Sequence, residues 1–340
     1  MRCRPIPMRL GVLGGAFVAS MACLLIAWSG HAERMAVPEV VATGVPRPLQ
    51  LVVDGRSLLV LSPGNGDAAG EIYRVDLTGE LPVNLARQPR LTIPFADSRT
   101  AALGSLALDP SSRELILGEE NGSAIYRLAQ DGRLITYATG LNRLAGGGTL
   151  AFDRAGRLLI LDLADPRLSA DSERLPPGLE DLREEDYRGP LVFRLTPDPT
   201  LPLPRRLGRA APLFPRAWGG KAGGALLPRL LAVAPLDSGD LVFLSSAGDL
   251  YRLTPEGRFT VFARLPHGFY NRITMVAEPD GSVLVSGGFH VPRILRVSAE
   301  GVVSVLADDL ADPEGIALDG RGHLYVAESS LHRIVRLPDR

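Results

Sequence analysis

The sequence predicts an all-β protein, a six-bladed β-propeller, and two observations lead to this prediction. The first is a segment that recurs six times, in which a tight turn joins two runs of alternating apolar residues. The second is the composition, because 37 glycines and 28 prolines in 340 residues favour many turns between short strands over long helices. With 46% hydrophobic and 22% charged residues, the chain has the composition of an ordinary globular protein with its own core.

The first 32 residues differ from the rest and are predicted to be a secretory signal peptide. Three arginines and no acidic residue precede an apolar run at 10–28, and small residues follow the run at Gly30 and Ala32. An uncleaved N-terminal anchor is the alternative, because the run is close to the roughly 20 residues that span a bilayer. Either way, residues 38–340 are expected outside the cytoplasm, secreted or periplasmic, and attached to a membrane only if the segment is uncleaved.

Charge and cysteine content exclude several classes of site. Three of the 37 basic residues lie in the N-terminal segment, so the remainder is net negative against 38 acids, which argues against nucleic-acid binding. Both cysteines, Cys3 and Cys23, also lie in that segment. The predicted domain at 38–340 therefore has no disulfide and no thiolate metal site.

The repeat explains the predicted blades. Its six copies are QLVVDGRSLLVLSPG, LALDPSSRELILGEE, LAFDRAGRLLILDLA, LAVAPLDSGDLVFLSS, MVAEPDGSVLVSGG and IALDGRGHLYVAES. Further alternating runs follow each copy, so each repeat is predicted to be a meander of four strands, named a to d from the centre outward. Such sheets bury their faces by packing around a common axis. No copy shows a 3.6-residue apolar stripe, which excludes helical solenoids.

The last copy shows three predicted strands, in PEGIALD, HLYVAES and HRIVRL, and no fourth. Residues 38–44 align with the position of a strand d. The ring is therefore predicted to be closed by this N-terminal strand, which completes the C-terminal blade and removes an open sheet edge.

The segment GHLYVAESSLHRIVRL resembles the NHL repeat, with Glu328 where that repeat usually has aspartate. From about residue 38 onward the chain resembles six-bladed propellers of the NHL, SMP-30/gluconolactonase and strictosidine-synthase-like groups. The resemblance implies the fold. It leaves lactonases, lyases, synthases and binding modules open as functions.

In the SMP-30 lactonases, carboxylates and asparagines at the starts of strands a hold a calcium or zinc ion. Only Glu314 matches such a position here, and Asn271 lies two residues out of register. A divalent cation such as calcium is therefore an open possibility rather than a prediction.

Candidate site residues cluster where strands a begin and strands b end, which is the usual ligand face of such propellers. Glu119, Asp162 and Glu328 end their strands b and could bind a cation or act as general acid and base. The structural alternative is that such acids close the following turn by accepting backbone hydrogen bonds. His290 is expected near the channel mouth, either as a ligand contact or as a surface histidine that other residues of the chain satisfy. Trp218 is expected either to stack on a ligand or to pack in the core.

Blade 3 is predicted to carry an insertion at 163–188, with eight acids against four arginines, and a segment rich in proline and arginine follows at 197–228. The insertion is either a loop at the ligand face that determines ligand specificity or a solvent-exposed loop without a role in binding.

Two functions follow from these observations. The first is a monomeric module that binds a small molecule or a protein at the channel mouth. The second is a metal-dependent hydrolase or lactonase that uses Glu314.

Overall fold

Short strands make up almost all of the regular structure. The computed structural model describes residues 38–63, 70–93, 102–120, 122–141, 144, 146–162, 191–207 and 230–338; the predicted signal peptide, the insertion at 163–188 and Trp218 lie outside the described residues. In chain order the strands are β1 (Glu39–Thr43), β2 (Gln50–Asp54), β3 (Ser57–Ser62), β4 (Glu71–Asp76), β5 (Val83–Asn84), β6 (Arg90–Thr92), β7 (Ala102–Leu108), β8 (Leu115–Glu120), β9 (Ala124–Leu128), β10 (Leu134–Thr139), β11 (Leu150–Phe152), β12 (Leu158–Asp162), β13 (Leu191–Leu195), β14 (Arg205–Arg206), β15 (Leu230–Pro235), β16 (Leu241–Ser245), β17 (Asp249–Leu253), β18 (Phe259–Arg264), β19 (Met275–Ala277), β20 (Val283–Ser286), β21 (Ile294–Val297), β22 (Val303–Ala307), β23 (Pro313–Leu318), β24 (Leu324–Glu328) and β25 (Arg333–Arg336). Two single-turn 3-10 helices, Leu85–Arg87 and Ser329–Leu331, complete the described elements.

The strands form six sheets, and the predicted fold, a six-bladed β-propeller, is confirmed. Blade 1 is β2-β3-β4-β6, blade 2 is β7-β8-β9-β10, blade 4 is β15-β16-β17-β18 and blade 5 is β19-β20-β21-β22. Blade 3 has three strands among the described residues, β11-β12-β13. Blade 6 is β23-β24-β25 followed by β1. β1 therefore pairs with β25 as the fourth strand of this sheet.

The register of β1 on β25 is antiparallel, with Glu39 opposite Arg336 and Val40 opposite Val335. Just after β1, the backbone N–H groups of Gly44 and Val45 donate to the carbonyl of His332 at 3.0 and 3.4 Å. These bonds extend the pairing into the turn that leads to blade 1.

Two very short strands were not anticipated from the sequence. β5 pairs in parallel with β1 on the outer edge of blade 6, and β14 pairs in parallel with β10 on the outer edge of blade 2. Leu85 and Leu207, both fully buried, follow these strands and anchor them to the core. Each short strand covers part of a sheet edge that would otherwise be open.

The hydrophobic core is divided among the interfaces between neighbouring blades. The described residues form six clusters, and each joins two adjacent blades; Leu244 of blade 4, for example, packs in one cluster with Val285 and Leu295 of blade 5. Strands b are apolar on both faces because they are covered from both sides, and every residue of β12, β16 and β24 is buried. Among the described residues, no helix combines the length and the hydropathy needed to cross a bilayer.

Candidate functional site

The starts of strands a converge at the end of the ring where the b-to-c turns lie. The Gly148 N–H donates to the Ile273 carbonyl at 2.7 Å, and the Val233 N–H donates to the Gly148 carbonyl at 3.0 Å. The Gly147 N–H donates to the Gly104 carbonyl at 2.8 Å. Backbone from blades 2, 3, 4 and 5 therefore meets near the axis at this end.

Glycine makes this convergence possible. Gly147 has φ +100°, and a Cβ atom there would lie 2.7 Å from the Ile273 carbonyl oxygen. A Cβ on Gly148 would lie 3.2 Å from both that oxygen and the Cβ of Ala232. The run of glycines at 146–148 thus replaces side chains with backbone contacts across the ring.

An ion cluster, formed by Glu120, Arg272 and Glu314, bridges opposite sides of the ring at this end. Arg272, just before strand a of blade 5, places Nη2 3.0 Å from Oε2 of Glu120 at the end of β8. Its Nη1 lies 3.9 Å from Oε2 of Glu314 in β23. The side chains are 20% exposed for Arg272 and Glu120 but only 3% exposed for Glu314. One guanidinium therefore links blade 5 to blades 2 and 6.

Glu314 is the most buried member of the ion cluster. Its Oε1 accepts a hydrogen bond from the Ser329 hydroxyl at 2.6 Å, whereas its Oε2 is buried without a hydrogen-bond partner. Ser329 lies in the 3-10 helix that follows β24. Burial raises the pKa of the Glu314 carboxyl, and the opposing effects of the Ser329 hydrogen bond and the Arg272 charge are smaller. The site thus contains a carboxyl that ionises less readily than a free one.

The three acids that end strands b have different surroundings. Glu328 accepts a hydrogen bond from the Ala311 N–H at 2.9 Å and another from Arg333 Nε at 2.5 Å. Its carboxylate therefore binds the loop before β23 and a side chain of β25, and not the backbone of the turn that follows β24. Asp162 is 1% exposed, and its backbone bridges to Leu144. Both carboxylate oxygens of Glu328 are thus engaged by other residues of the chain.

Glu119 lies beside β9, where its Oε2 is 3.5 Å from the hydroxyl of Tyr126. Burial, and secondarily the Glu119 charge, raises the pKa of the Tyr126 phenol. The neighbouring residue Glu120, and not Glu119, belongs to the ion cluster.

A divalent cation does not fit the described residues at this face. Calcium needs about six to eight converging oxygens. The described part of the chain contains no group of three or more histidine, cysteine, aspartate or glutamate side chains suited to a metal ion. The one oxygen of Glu314 that lacks a hydrogen bond faces the Arg272 guanidinium.

An aromatic cluster, formed by Phe269, Phe289 and His290, lies on two loops of blade 5 at the same end. The His290 ring meets Phe269 edge to face at a centroid distance of 5.0 Å and Phe289 at 4.7 Å. Phe269 is 66% exposed and Phe289 is 45% exposed. His290 was expected on the b-to-c face from the sequence, and the structure adds the two phenylalanines beside it.

Backbone contacts hold the two loops of the aromatic cluster together. The Phe289 N–H donates to the carbonyl of Asn271 at 3.3 Å, and a Cβ on Gly288 would lie 2.1 Å from the same oxygen. The Tyr270 hydroxyl donates to the Pro266 carbonyl at 2.6 Å, which closes the first loop on itself. Asn271 itself is exposed and contributes its backbone rather than its side chain to this contact.

Four residues at this face were not predicted from the sequence: Glu120, Arg272, Phe269 and Phe289. The signals available were weak: an arginine directly before a strand a, and a phenylalanine after glycine in both GFYNR and GGFHVP. Trp218 lies outside the described residues.

The buried carboxyl of Glu314 gives a testable pH dependence. Because its pKa is raised in the folded chain, the folded state binds more protons above pH 4.5, and the free energy of unfolding falls as pH rises through the raised value. The substitution Glu314→Gln is expected to remove this decline, so that the variant gains stability relative to the wild type as pH rises. Urea unfolding at a series of pH values measures the difference. The exposed Glu80→Gln is the control, and an unchanged profile for Glu314→Gln would contradict the assignment.

Comparisons with known proteins identify the fold. No protein-family model and no curated protein matches the sequence. Among solved structures, a gluconolactonase from Xanthomonas campestris matches with a TM-score of 0.57 and 15% identity, over 88% of each chain. The calcium-binding protein regucalcin from Agrobacterium tumefaciens matches with a TM-score of 0.56 and 12% identity, over 88% of this chain and 93% of that one.

A virginiamycin B lyase from Staphylococcus aureus matches with a TM-score of 0.53 and 13% identity, over 86% of this chain and 81% of that one. At these identities the likeness concerns the fold and not the chemistry. The chain thus has the six-bladed propeller fold found in SMP-30/gluconolactonase-like proteins and virginiamycin B lyases.

Proposed function

We propose that this protein is an extracytoplasmic binding module that takes up its ligand at the b-to-c face, through the aromatic cluster. The observation that carries the proposal is the exposure of Phe269 and Phe289 on either side of His290. Clustered exposed aromatic rings are characteristic of binding surfaces, because they offer a large apolar contact area with few rotatable bonds.

The two loops are organised before a ligand arrives. The hydrogen bond from Phe289 to Asn271 and the close approach at Gly288 fix one loop against the other. A surface that is already ordered loses less conformational entropy on binding. A rigid scaffold that presents functional loops is also the usual arrangement in binding proteins.

The neighbouring charges indicate what kind of ligand is favoured. Arg272 is already paired with Glu120 and lies near Glu314, so the ion cluster offers little free charge to an ionic ligand. Apolar ring contact is therefore expected to provide most of the binding energy. A small molecule or a protein side chain with an aromatic or sugar ring fits this surface.

The test compares two double variants. Phe269→Ser with Phe289→Ser is expected to abolish the binding of aromatic compounds that the wild type binds, in a panel of soluble aromatics monitored by ligand-observed NMR. Both residues are exposed, so the free energy of unfolding should change by no more than about 0.5 kcal/mol. Val261→Ser with Val305→Ser is the matched control, because these valines are 62% and 49% exposed on the outer strands. Binding that survives loss of both phenylalanines would refute the proposal.

A second candidate function is a hydrolase or lactonase, and the buried Glu314 favours it. A carboxyl with a raised pKa remains protonated to higher pH than a free carboxyl, and in that form it can act as a general acid. Two of the structures that share the fold bear the names gluconolactonase and calcium-binding regucalcin. Hydrolysis of δ-gluconolactone with and without added calcium or zinc, by wild type and Glu314→Gln, tests this function. Activity that depends on Glu314 would favour the lactonase over the binding module.

A further inference from the structure

A cavity of about 620 Å³, here called the channel cavity, occupies the centre of the ring. Strands a of all six blades line it, and its lining includes the a-to-b turn residues Pro110, Arg154, Asp237 and Pro279. It therefore opens at the end opposite the aromatic cluster. Among the described residues, no member of the ion cluster or of the aromatic cluster lines it. Its volume lies within the range of about 300–1,000 Å³ that small-molecule sites occupy.

The other end of the channel cavity is closed. Gln50, Gly148 and Thr274 line it where the strand starts converge. There the Leu106 N–H donates to Oε1 of Gln50 at 2.5 Å, and the Val233 N–H donates to the Gly148 carbonyl. The channel cavity is therefore a blind pocket and not a passage to the aromatic cluster.

The wall of the channel cavity offers polar backbone groups. Each strand a is the innermost strand of its sheet and is hydrogen-bonded to strand b on one side only. In the part of the chain that the structure describes, backbone bonds between strands a involve their starts and Val233 of β15. Elsewhere along strands a, inner-edge N–H and C=O groups face the cavity and need partners there.

The side chains of the wall are mainly apolar, and some of the charged groups at the rim have partners. Val52, Ala151 and Val276 line the cavity and are half-buried, although they lie on innermost strands. At the rim, Asp153 pairs with Arg157 at 2.8 Å, and Arg154 donates to the Asp237 carbonyl at 2.8 Å.

One lining side chain at the closed end has a polar atom without a partner among the described residues. The Thr274 hydroxyl has no hydrogen-bond partner, whereas the nearby Ser286 hydroxyl donates to the Glu314 carbonyl at 2.8 Å. The Thr274 oxygen has almost no accessible surface, so a ligand in the channel cavity would contact the backbone and the apolar side chains rather than this hydroxyl.

We propose that the channel cavity is a second binding site, separate from the aromatic cluster, for a neutral polyhydroxylated ring such as a sugar or cyclitol. The hydroxyls of such a ring can pair with the inner-edge backbone groups, and its C–H faces can contact the apolar side chains. A charged ligand is disfavoured, because it would lose its hydration among walls that are mainly apolar.

The experiment measures myo-inositol binding to the purified protein by calorimetry and saturation-transfer NMR. We expect saturable binding of one molecule per chain. Gluconate and glucosamine, which carry charge, are expected to bind about tenfold more weakly or worse. Absence of saturable inositol binding, or equal binding of the charged compounds, would overturn the proposal.

Variants locate the site. Ala277→Phe fills the channel cavity, because Ala277 is a half-buried lining residue of β19, and it is expected to abolish inositol binding. Ala247→Phe, at an exposed residue of a b-to-c turn, is the matched control and should bind like the wild type. If Ala277→Phe does not fold, Ala151→Leu provides a smaller obstruction in blade 3, with weakened binding expected.

The aromatic double variant Phe269→Ser with Phe289→Ser separates this site from the proposed b-to-c site. It should retain inositol binding, so that the two sites can fail independently. Loss of inositol binding in this variant, or unchanged binding in a folded Ala277→Phe or Ala151→Leu, would refute the channel site.

Discussion

Replacing Val41 with aspartate is expected to lower the free energy of unfolding by about 4 kcal/mol or more. Val41 is completely buried in β1, within a hydrophobic cluster that joins blades 6 and 1 and includes Leu51, Tyr73 and Ile334. An aspartate there would bury a carboxylate without a partner and would also loosen β1 from β25. Because β1 supplies the fourth strand of blade 6, the damage should extend to the whole domain and not to one terminus alone. Urea unfolding followed by circular dichroism measures the loss.

The matched control is Val302→Asp, the same substitution at a valine that is 65% exposed. It should change stability by no more than about 0.5 kcal/mol. Deletion of residues 38–44 removes β1 altogether and should be at least as damaging as Val41→Asp. A deletion variant that unfolds at nearly the wild-type urea concentration would show that β1 is dispensable for the ring.

The blades could be predicted from the sequence because the residues that indicate each blade lie close together in the chain. Alternating apolar residues, a turn and a second alternating run occur within about fifteen residues, and the six copies reinforce one another. The pairing of β1 was predictable for the same reason, since residues 38–44 align with strand d of other copies. By contrast, β5 and β14 have two residues each, which is too short for any alternation to show.

The ion cluster could not be predicted, because it depends on distance across the ring. Arg272 and Glu120 are 152 residues apart in sequence, and they belong to opposite blades. A single residue of register also matters, because the sequence pattern indicated Glu119 as a site residue, whereas the ion cluster contains Glu120. Successive side chains of a strand point to opposite faces, so alignment to within one residue cannot decide which of two adjacent glutamates points inward.

The end at which the channel cavity opens could not be predicted from sequence patterns either. The b-to-c end was expected to be the channel mouth, whereas the channel cavity opens at the a-to-b turns. The physical reason is the glycine run at 146–148, which allows strand starts from several blades to meet. A glycine run in a sequence indicates freedom of the backbone but not which neighbour approaches it.

Gly147→Ala is expected to destabilise the domain by about 3 kcal/mol, through two additive causes. The φ of +100° strains any residue with a Cβ, which contributes about 1–2 kcal/mol. The added Cβ would also lie 2.7 Å from the Ile273 carbonyl oxygen and 3.0 Å from the Arg272 carbonyl carbon. These are backbone atoms of blade 5, so the steric clash can be removed only if that blade moves. Overpacking of this kind costs a further ~1–3 kcal/mol.

Gly132→Ala separates the two causes. Gly132 has a similar φ of +83°, but a Cβ there would have nothing within 4 Å, so only the conformational strain of about 1–2 kcal/mol should appear. The difference between the two variants then measures how tightly the strand starts are packed. Because the obstruction lies against Arg272, Gly147→Ala should also displace the guanidinium from Glu120, and a crystal structure of the variant would show this. Equal losses of stability in the two variants would mean that the backbone of blade 5 yields easily, and that the convergence does not rigidly fix the ion cluster.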